Sequence, residues 1–287
     1  MLNFFIPDFK IPPVLFSFGG SMAGTIIVVG NEKGGTGKST LAMHLIACFL
    51  KEGKKVSSVD LDGRQGTLTH YIQNRAAFAE RHGIALDLPE HLSVTVRENV
   101  SPDEQKEDEN AFAEQIETLA KDADVVVIDT PGADNYLFRL AHVYADILVT
   151  PLNDSLIDLD VLAKIDPETL TVKSPGHYAQ TVWQARQKRA ALRKKASTWL
   201  ILRNRLMHVS TRNEKIIRSL LDSLGKRISF TPVSGLGERI IFRELFLKGL
   251  TLLDVDDKRT QIEMSVSHVA ARQELRSIRN AVKLNSE

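Results

Sequence analysis

Residues 28–40 read VVGNEKGGTGKST, an apolar strand end that runs into glycines and then into Lys38, Ser39 and Thr40. The phosphate-binding pattern G-x-x-x-x-G-K-[ST] finds its tail in Gly37, Lys38 and Ser39. Position 32, where its first glycine belongs, is Glu32, and a second lysine, Lys33, follows. The loop follows a strand-like run and opens a helix-like one, the context that gives the motif meaning. Gly34, Gly35 and Gly37, with Thr36 between them, let backbone N–H groups approach phosphate oxygens without a Cβ in the way. A helix starting near Lys38 adds the positive end of its dipole. Lys38 then supplies charge to β- and γ-phosphates, and Ser39 or Thr40 offers a hydroxyl to Mg2+.

Outward from the loop, strand-like runs recur at TIIVVG (25–30), KVSSVD (55–60), DVVVIDT (124–130), DILVTP (146–151), TWLILRN (198–204) and RISFTP (227–232). Most are unbroken β-branched or aliphatic runs, as in parallel strands covered on both faces. Helical patterns fall between them at 38–52, 68–82, 109–122, 155–164, 181–196, 211–224 and 238–248. Alternation at this spacing predicts one α/β domain over residues 22–287, a doubly wound, mostly parallel sheet flanked by helices. Ligands in such sheets bind beyond the carboxyl ends of the strands. Two of those ends carry acids: Asp60 and Asp62 in SVDLDGRQG (58–66), and Asp129 in VVVIDTPG (125–132). Asp129 is expected to hold Mg2+, and Gly132 to let the chain pivot when a γ-phosphate is present.

The 287 residues suffice for a full core, and Cys48 alone excludes an internal disulfide or a Cys-only metal site. Cys48 and His44, in the helical run after the loop, are expected to be structural. No apolar run reaches the ~18 residues of a membrane helix, and a reducing cytoplasm fits. Residues 1–21 are aromatic, broken by proline and poor as a signal peptide; they are expected to be a disordered extension outside the fold. The segment 83–108 is expected to be an acidic surface insertion. The tail from Ser265 places Val269, Ala271, Leu275, Ile278 and Val282 at helical spacing and is expected to dock on the sheet rather than on a membrane.

Net charge is only +1, but it is unevenly spread. Between Asp87 and Asp124 twelve acidic residues meet three basic ones; between Trp183 and Arg227 thirteen basic residues meet two acidic ones. Arg186, Arg189 and Arg193 are spaced for one helix face, with Lys194 beside them, and Arg212 and Arg218 continue the pattern on the next helix. With few aromatics interleaved, these cations predict non-specific binding to the backbone of double-stranded DNA. A solvated basic face is the alternative.

The segment KGGTGKS (33–39) resembles the deviant Walker A loop of the ATPase family that includes ParA, MinD, Soj and the nitrogenase iron protein. There the extra lysine comes from one subunit and reaches the nucleotide of the other. The resemblance implies ATP and Mg2+ as cofactors, with Lys33 as that lysine, Lys38 as the loop lysine and Ser39 as the Mg2+ ligand. It also implies Asp62 as the residue that orients or activates water, Asp129 as the second acid of the site, and Asn204 at the adenine. An asparagine at a strand end is also a common turn former. Lacking a cysteine pair for a cluster, the chain falls outside the iron-protein branch.

Further blocks, among them VDLDGRQGTLTHYIQNR (59–75), IDTPGADNYLFRLAH (128–142), YAQTVWQARQKRA (178–190) and IIFRELFLKGLTLLD (240–254), are similar to the branch that positions the division plane. That likeness implies a slow ATPase that forms homodimers with ATP, binds DNA, interacts with ParB and inhibits FtsZ, distributed over the nucleoid from ParB-bound origins at the poles. A ParA-type partition ATPase and a MinD-like membrane switch are the alternatives.

Overall fold

The computed structural model describes residues 24–166, 168–169, 171–192, 194–206, 212–255, 258–260, 262 and 265–284. The expectation for residues 1–21 lies outside these, as does Arg193. Among the described residues the order is β1 (Thr25–Val29), α1 (Lys38–Lys51), β2 (Val56–Asp60), α2 (Thr67–His82), β3 (Glu90–Ser93), α3 (Pro102–Asp122), β4 (Val125–Asp129) and α4 (Tyr136–Tyr144). There follow β5 (Ile147–Asn153), α5 (Leu156–Leu159), β6 (Ala163–Ile165), β7 (Val172–Pro175), α6 (His177–Ala191), β8 (Thr198–Asn204), α7 (Arg212–Ile228), β9 (Thr231–Val233), α8 (Ile241–Lys248) and α9 (Val266–Ala281).

Seven strands pair in parallel in the order β3-β2-β4-β1-β5-β8-β9. The unbroken apolar runs are explained by burial on both faces. Ile26 and Val28 of β1 join Val126 and Ile128 of β4 in the core under α3, α4, α6 and α7. Ile27 and Val29 join Val125 and Val127 in the core under α1 and α2. Each such side chain contributes about 1.5–3 kcal/mol by leaving water. The tail helix docks as expected: Ile278, Val282 and Leu284 enter the core shared by α1 and the sheet. Val269 is the exception, half exposed on the outer side of α9.

Elsewhere tertiary structure overrides local pattern. The acidic segment 83–108 is not merely an insertion, because β3 pairs with β2 along Ser57–Asp60 and α3 begins at Pro102. Ser101 caps α3, and its side chain and that of Glu104 exchange hydrogen bonds with each other's backbone N–H. The helix expected over 155–164 shrinks to the single turn α5. The chain then enters a two-stranded ribbon, β6 against β7, closed by Asp166, whose Oδ1 accepts from the N–H of Glu168 and Thr169. In RISFTP, α7 runs on through Ile228, so only Thr231–Val233 joins the sheet.

Candidate functional site

The central strands bring the predicted residues to one end of the sheet. Val29, the last residue of β1, lies opposite Asp129 of β4, and Asp129 lies opposite Asp60 of β2. From β1 the chain turns through residues 30–37 into α1. Gly35 and Gly37 take φ of +72° and +86° there, a region that L side chains avoid. Gly37 is doubly constrained, since a Cβ would lie 2.2 Å from Nδ2 of Asn204. Asn204, at the end of β8, donates from Nδ2 to the carbonyl of Thr36 (2.8 Å) and so braces the loop. Beside it Gly34 and Gly35 meet no neighbouring atom within 4 Å of an added Cβ, so the lip of the loop is open.

Lys38 is almost fully buried and donates from Nζ to the carbonyl of Lys33 (2.9 Å). Burial lowers its pKa, opposed by the charges of Asp129 and Asp62. Asp129 is buried beside Ser39. Burial raises its carboxyl to about 8, against the pull of Ser39 and Lys38 and with the help of Asp60 and Asp62. Among the described residues Oδ1 of Asp129 has no hydrogen-bond partner. An orphaned carboxylate oxygen beside a serine hydroxyl fits a hard cation that takes oxygen ligands, so Ser39 and Asp129 are suited to hold Mg2+. Asp60 is buried and satisfied by Thr69, and it accepts the N–H of Asp62 (2.9 Å). It thereby fixes the start of the loop in which Asp62 sits half-buried and within electrostatic reach of Lys38. The loop after Asp129 touches the glycine-rich loop directly: a Cβ on Gly132 would lie 2.8 Å from Cα of Gly34.

Lys33 sits at the lip, and its ammonium forms an ion pair with Asp158 of α5 in the same chain. The lysine side chain is 38% exposed and the aspartate 5%. Sequence reasoning missed Asp158, because a one-turn helix shows no periodicity and the spacing of 125 residues carries no local signal. It missed Tyr178 for a similar reason. That tyrosine is buried and donates to the carbonyl of Gly30 (2.8 Å), fixing the end of β1.

The predicted basic face is corrected in part. Arg189 is 4% exposed and donates to the carbonyls of Val143, Tyr144 and Lys195 and to Asp146, so it pins α6 to the neighbouring strand entry. Arg186 donates to the carbonyls of Ser197 (3.0 Å) and Ser229 (2.9 Å) and lies over the Trp199 ring, which makes it a packing residue as well. The face shared by Arg186 and Arg189 points inward, and α6 ends before Arg193. Lys194 is half-buried with its ammonium 4.8 Å from the centre of the Tyr144 ring. Arg218 is well exposed and pairs with Glu214 (3.4 Å). Arg212 opens α7, and its side chain lies outside the described atoms. Lys195 and Lys215 are exposed nearby.

A parallel sheet with a glycine-rich loop after its central strand, acids at the ends of β4 and β2 and a lysine before the glycines defines a P-loop ATPase of the ParA/MinD class. The sequence profile of the family described as ATPase MipZ matches residues 25–286, and the chain belongs to that family. Similar solved structures agree on the fold. McdA from Cyanothece, without nucleotide, superposes with a TM-score of 0.60 at 13% identity, covering 90% of this chain and 99% of its own. A putative plasmid partition protein from Borrelia burgdorferi bound to AMPPNP gives 0.56 at 15%, covering 90% and 100%. The septum site-determining protein MinD from Pyrococcus horikoshii, complexed with Mg-ADP, gives 0.52 at 16%, covering 88% and 94%. Among curated proteins none matches the chain by sequence.

Proposed function

We propose that the chain is a slow ATPase working as an ATP-dependent dimerisation switch, whose dimer binds nucleoid DNA without sequence preference, interacts with ParB and inhibits FtsZ polymerisation to position the division site. The observation that carries this reading is Lys33, a second cation at the lip of the loop, where an added Cβ on Gly34 or Gly35 would meet no atom within 4 Å. A cation presented there can reach the phosphates of a second subunit, so that charge stabilisation depends on pairing. In cis, the backbone of residues 34–40 and Lys38 hold the phosphates, Asn204 lies at the adenine, and Asp62 orients the attacking water. Ser39 and Asp129 hold Mg2+, which when bound neutralises charge on the β- and γ-phosphate oxygens. DNA contact falls to Lys194 and Arg218, with Arg193 and Arg212 from the sequence and the exposed Lys195 and Lys215. A dimer doubles that surface, so ATP gates affinity by avidity.

The test is oligomeric state with ADP, ATP and a non-hydrolysable analogue, followed by FtsZ pelleting. Asp62→Ala should be a dimer in ATP that holds DNA with a steep salt dependence and keeps FtsZ out of the pellet. Lys33→Ala should not hydrolyse ATP. A monomeric Asp62→Ala protein in ATP sinks the switch, and a dimer that leaves FtsZ polymers intact points to a partition ATPase instead.

A further inference from the structure

Glu32, the residue that breaks the glycine pattern, is turned inward along the lip. Its side chain is 18% exposed, and its Oε2 accepts from Nδ1 of His177 at 2.7 Å. His177 is the first residue of α6, and its other ring nitrogen lies 3.9 Å from Oδ2 of Asp134, in the loop that follows Asp129. Asp134 is itself fixed by two 2.7 Å hydrogen bonds from Arg139.

The same helix start makes three further contacts around Lys33. Tyr178 holds the carbonyl of Gly30. The N–H groups of Gly176 and Tyr178 donate to Leu162 and Val161, in the segment leaving α5. Gly176 lies so close to that segment that a Cβ would meet the carbonyls of Val161 and Asp160 at 2.4 and 2.5 Å. Besides its backbone hydrogen bonds to Asn31 and Lys38, Lys33 is therefore steadied through its chain neighbour Glu32 and its ion-pair partner Asp158, and the start of α6 anchors the backbone on both sides.

We propose that His177 is a positioning residue for Lys33, acting through Glu32 and bracing the lip of the loop against the segment after Asp129. The proposal rests on the reading above that Lys33 serves hydrolysis. It explains why a carboxylate replaces the usual glycine: the loop trades backbone freedom at position 32 for a fixed approach of the neighbouring lysine. Bound nucleotide is held by residues 34–40, so the loss of the brace should slow turnover without weakening ATP binding. A misplacement of about 1 Å in a catalytic group costs up to ~100-fold in rate. A lip released at one of several anchors should cost on the order of 10-fold.

The experiment measures ATP hydrolysis by the full chain with Mg2+ for His177→Ala, Glu32→Ala, Glu32→Gln and the Glu32→Ala/His177→Ala double variant. Lys33→Ala is the reference. Expected for His177→Ala and for Glu32→Ala is a kcat lower by about 10-fold with KM for ATP and Tm unchanged, and a double variant no slower than either alanine variant, because both remove the same contact. Glu32→Gln, whose amide oxygen still accepts from Nδ1, should keep most of the rate. His177→Asn, whose amide nitrogen can stand in for Nδ1, should recover most of the rate. An unaltered kcat for His177→Ala, losses that multiply in the double variant, or a fall in Tm that accounts for the lost rate would each overturn the proposal. If Lys33→Ala is inactive while His177→Ala is normal, only this inference fails. If Lys33→Ala hydrolyses ATP normally, the proposed function fails with it.

Discussion

If Lys33 reaches a second subunit's nucleotide as proposed, its ion pair with Asp158 sets a cost on dimerisation that can be measured. A lysine that must reach a second subunit's nucleotide has first to leave its own aspartate. An exposed pair is worth about 0–1 kcal/mol, and breaking a fully buried one costs about 3–5 kcal/mol. Here the carboxylate is 5% exposed but the ammonium side chain is 38% exposed, so screening keeps the hold near the lower range, about 1 kcal/mol per chain. A symmetric dimer breaks the pair twice, which gives about 2 kcal/mol, or roughly 30-fold in dissociation constant. Asp158→Asn keeps the side-chain shape and removes the charge. Sedimentation velocity with a non-hydrolysable ATP analogue should show its dimer tighter by about that factor, and combination with Lys33→Ala should erase the gain. An Asp158→Asn protein that is folded, yet dimerises no more tightly than the parent, refutes the reasoning.

Three further outcomes are expected. Because burial raises Asp129 to about 8, above its unfolded value of about 3.9, the folded state without nucleotide holds an extra proton between those values. Stability from this group is therefore full below about pH 4 and lost as pH rises toward 8; Asp129→Asn should flatten that slope in thermal melts from pH 5 to 8.5 and abolish Mg2+-dependent hydrolysis. Arg75 is 1% exposed and donates to Asp254 and to the carbonyls of Gly249 and Asp87, so Arg75→Ala should cost about 3 kcal/mol in urea unfolding by removing the buried partner of Asp254, which keeps only Lys51 at 3.6 Å as a cation. Arg189→Glu should lower Tm sharply, whereas Arg218→Glu should leave Tm unchanged and weaken DNA binding in a low-salt filter assay.

Much of the architecture is legible because the central strands carry their own evidence. The runs TIIVV and VVVID are apolar on both faces, which only a sheet covered on two sides explains, and the glycine loop between strand and helix fixes the active end. What local pattern does not reveal is set by distant partners. The helix α4 is short, running only from Tyr136 to Tyr144 between the loop after Asp129 and β5, and so offers few repeats of a 3.6-residue period. The strand β3 is short and polar, EHLS, and owes its existence to pairing with β2. Arg189 looks like its basic neighbours in sequence, yet three acceptors in residues 143–146 and the carbonyl of Lys195 draw it inward. Asp158 and His177 reach the site only through the return of the chain after β5, a step that spacing alone does not encode.

The contact between Gly132 and Gly34 has a mechanical consequence. With backbone pressed on backbone there is no side chain between the two loops to compress, so the joint has no slack. Whatever lifts Gly34 must push residues 131–134 by nearly the same amount, and Asp134 with them. The two loops are thus geared as one part, and a single methyl group at position 132 would act as a shim that holds them apart.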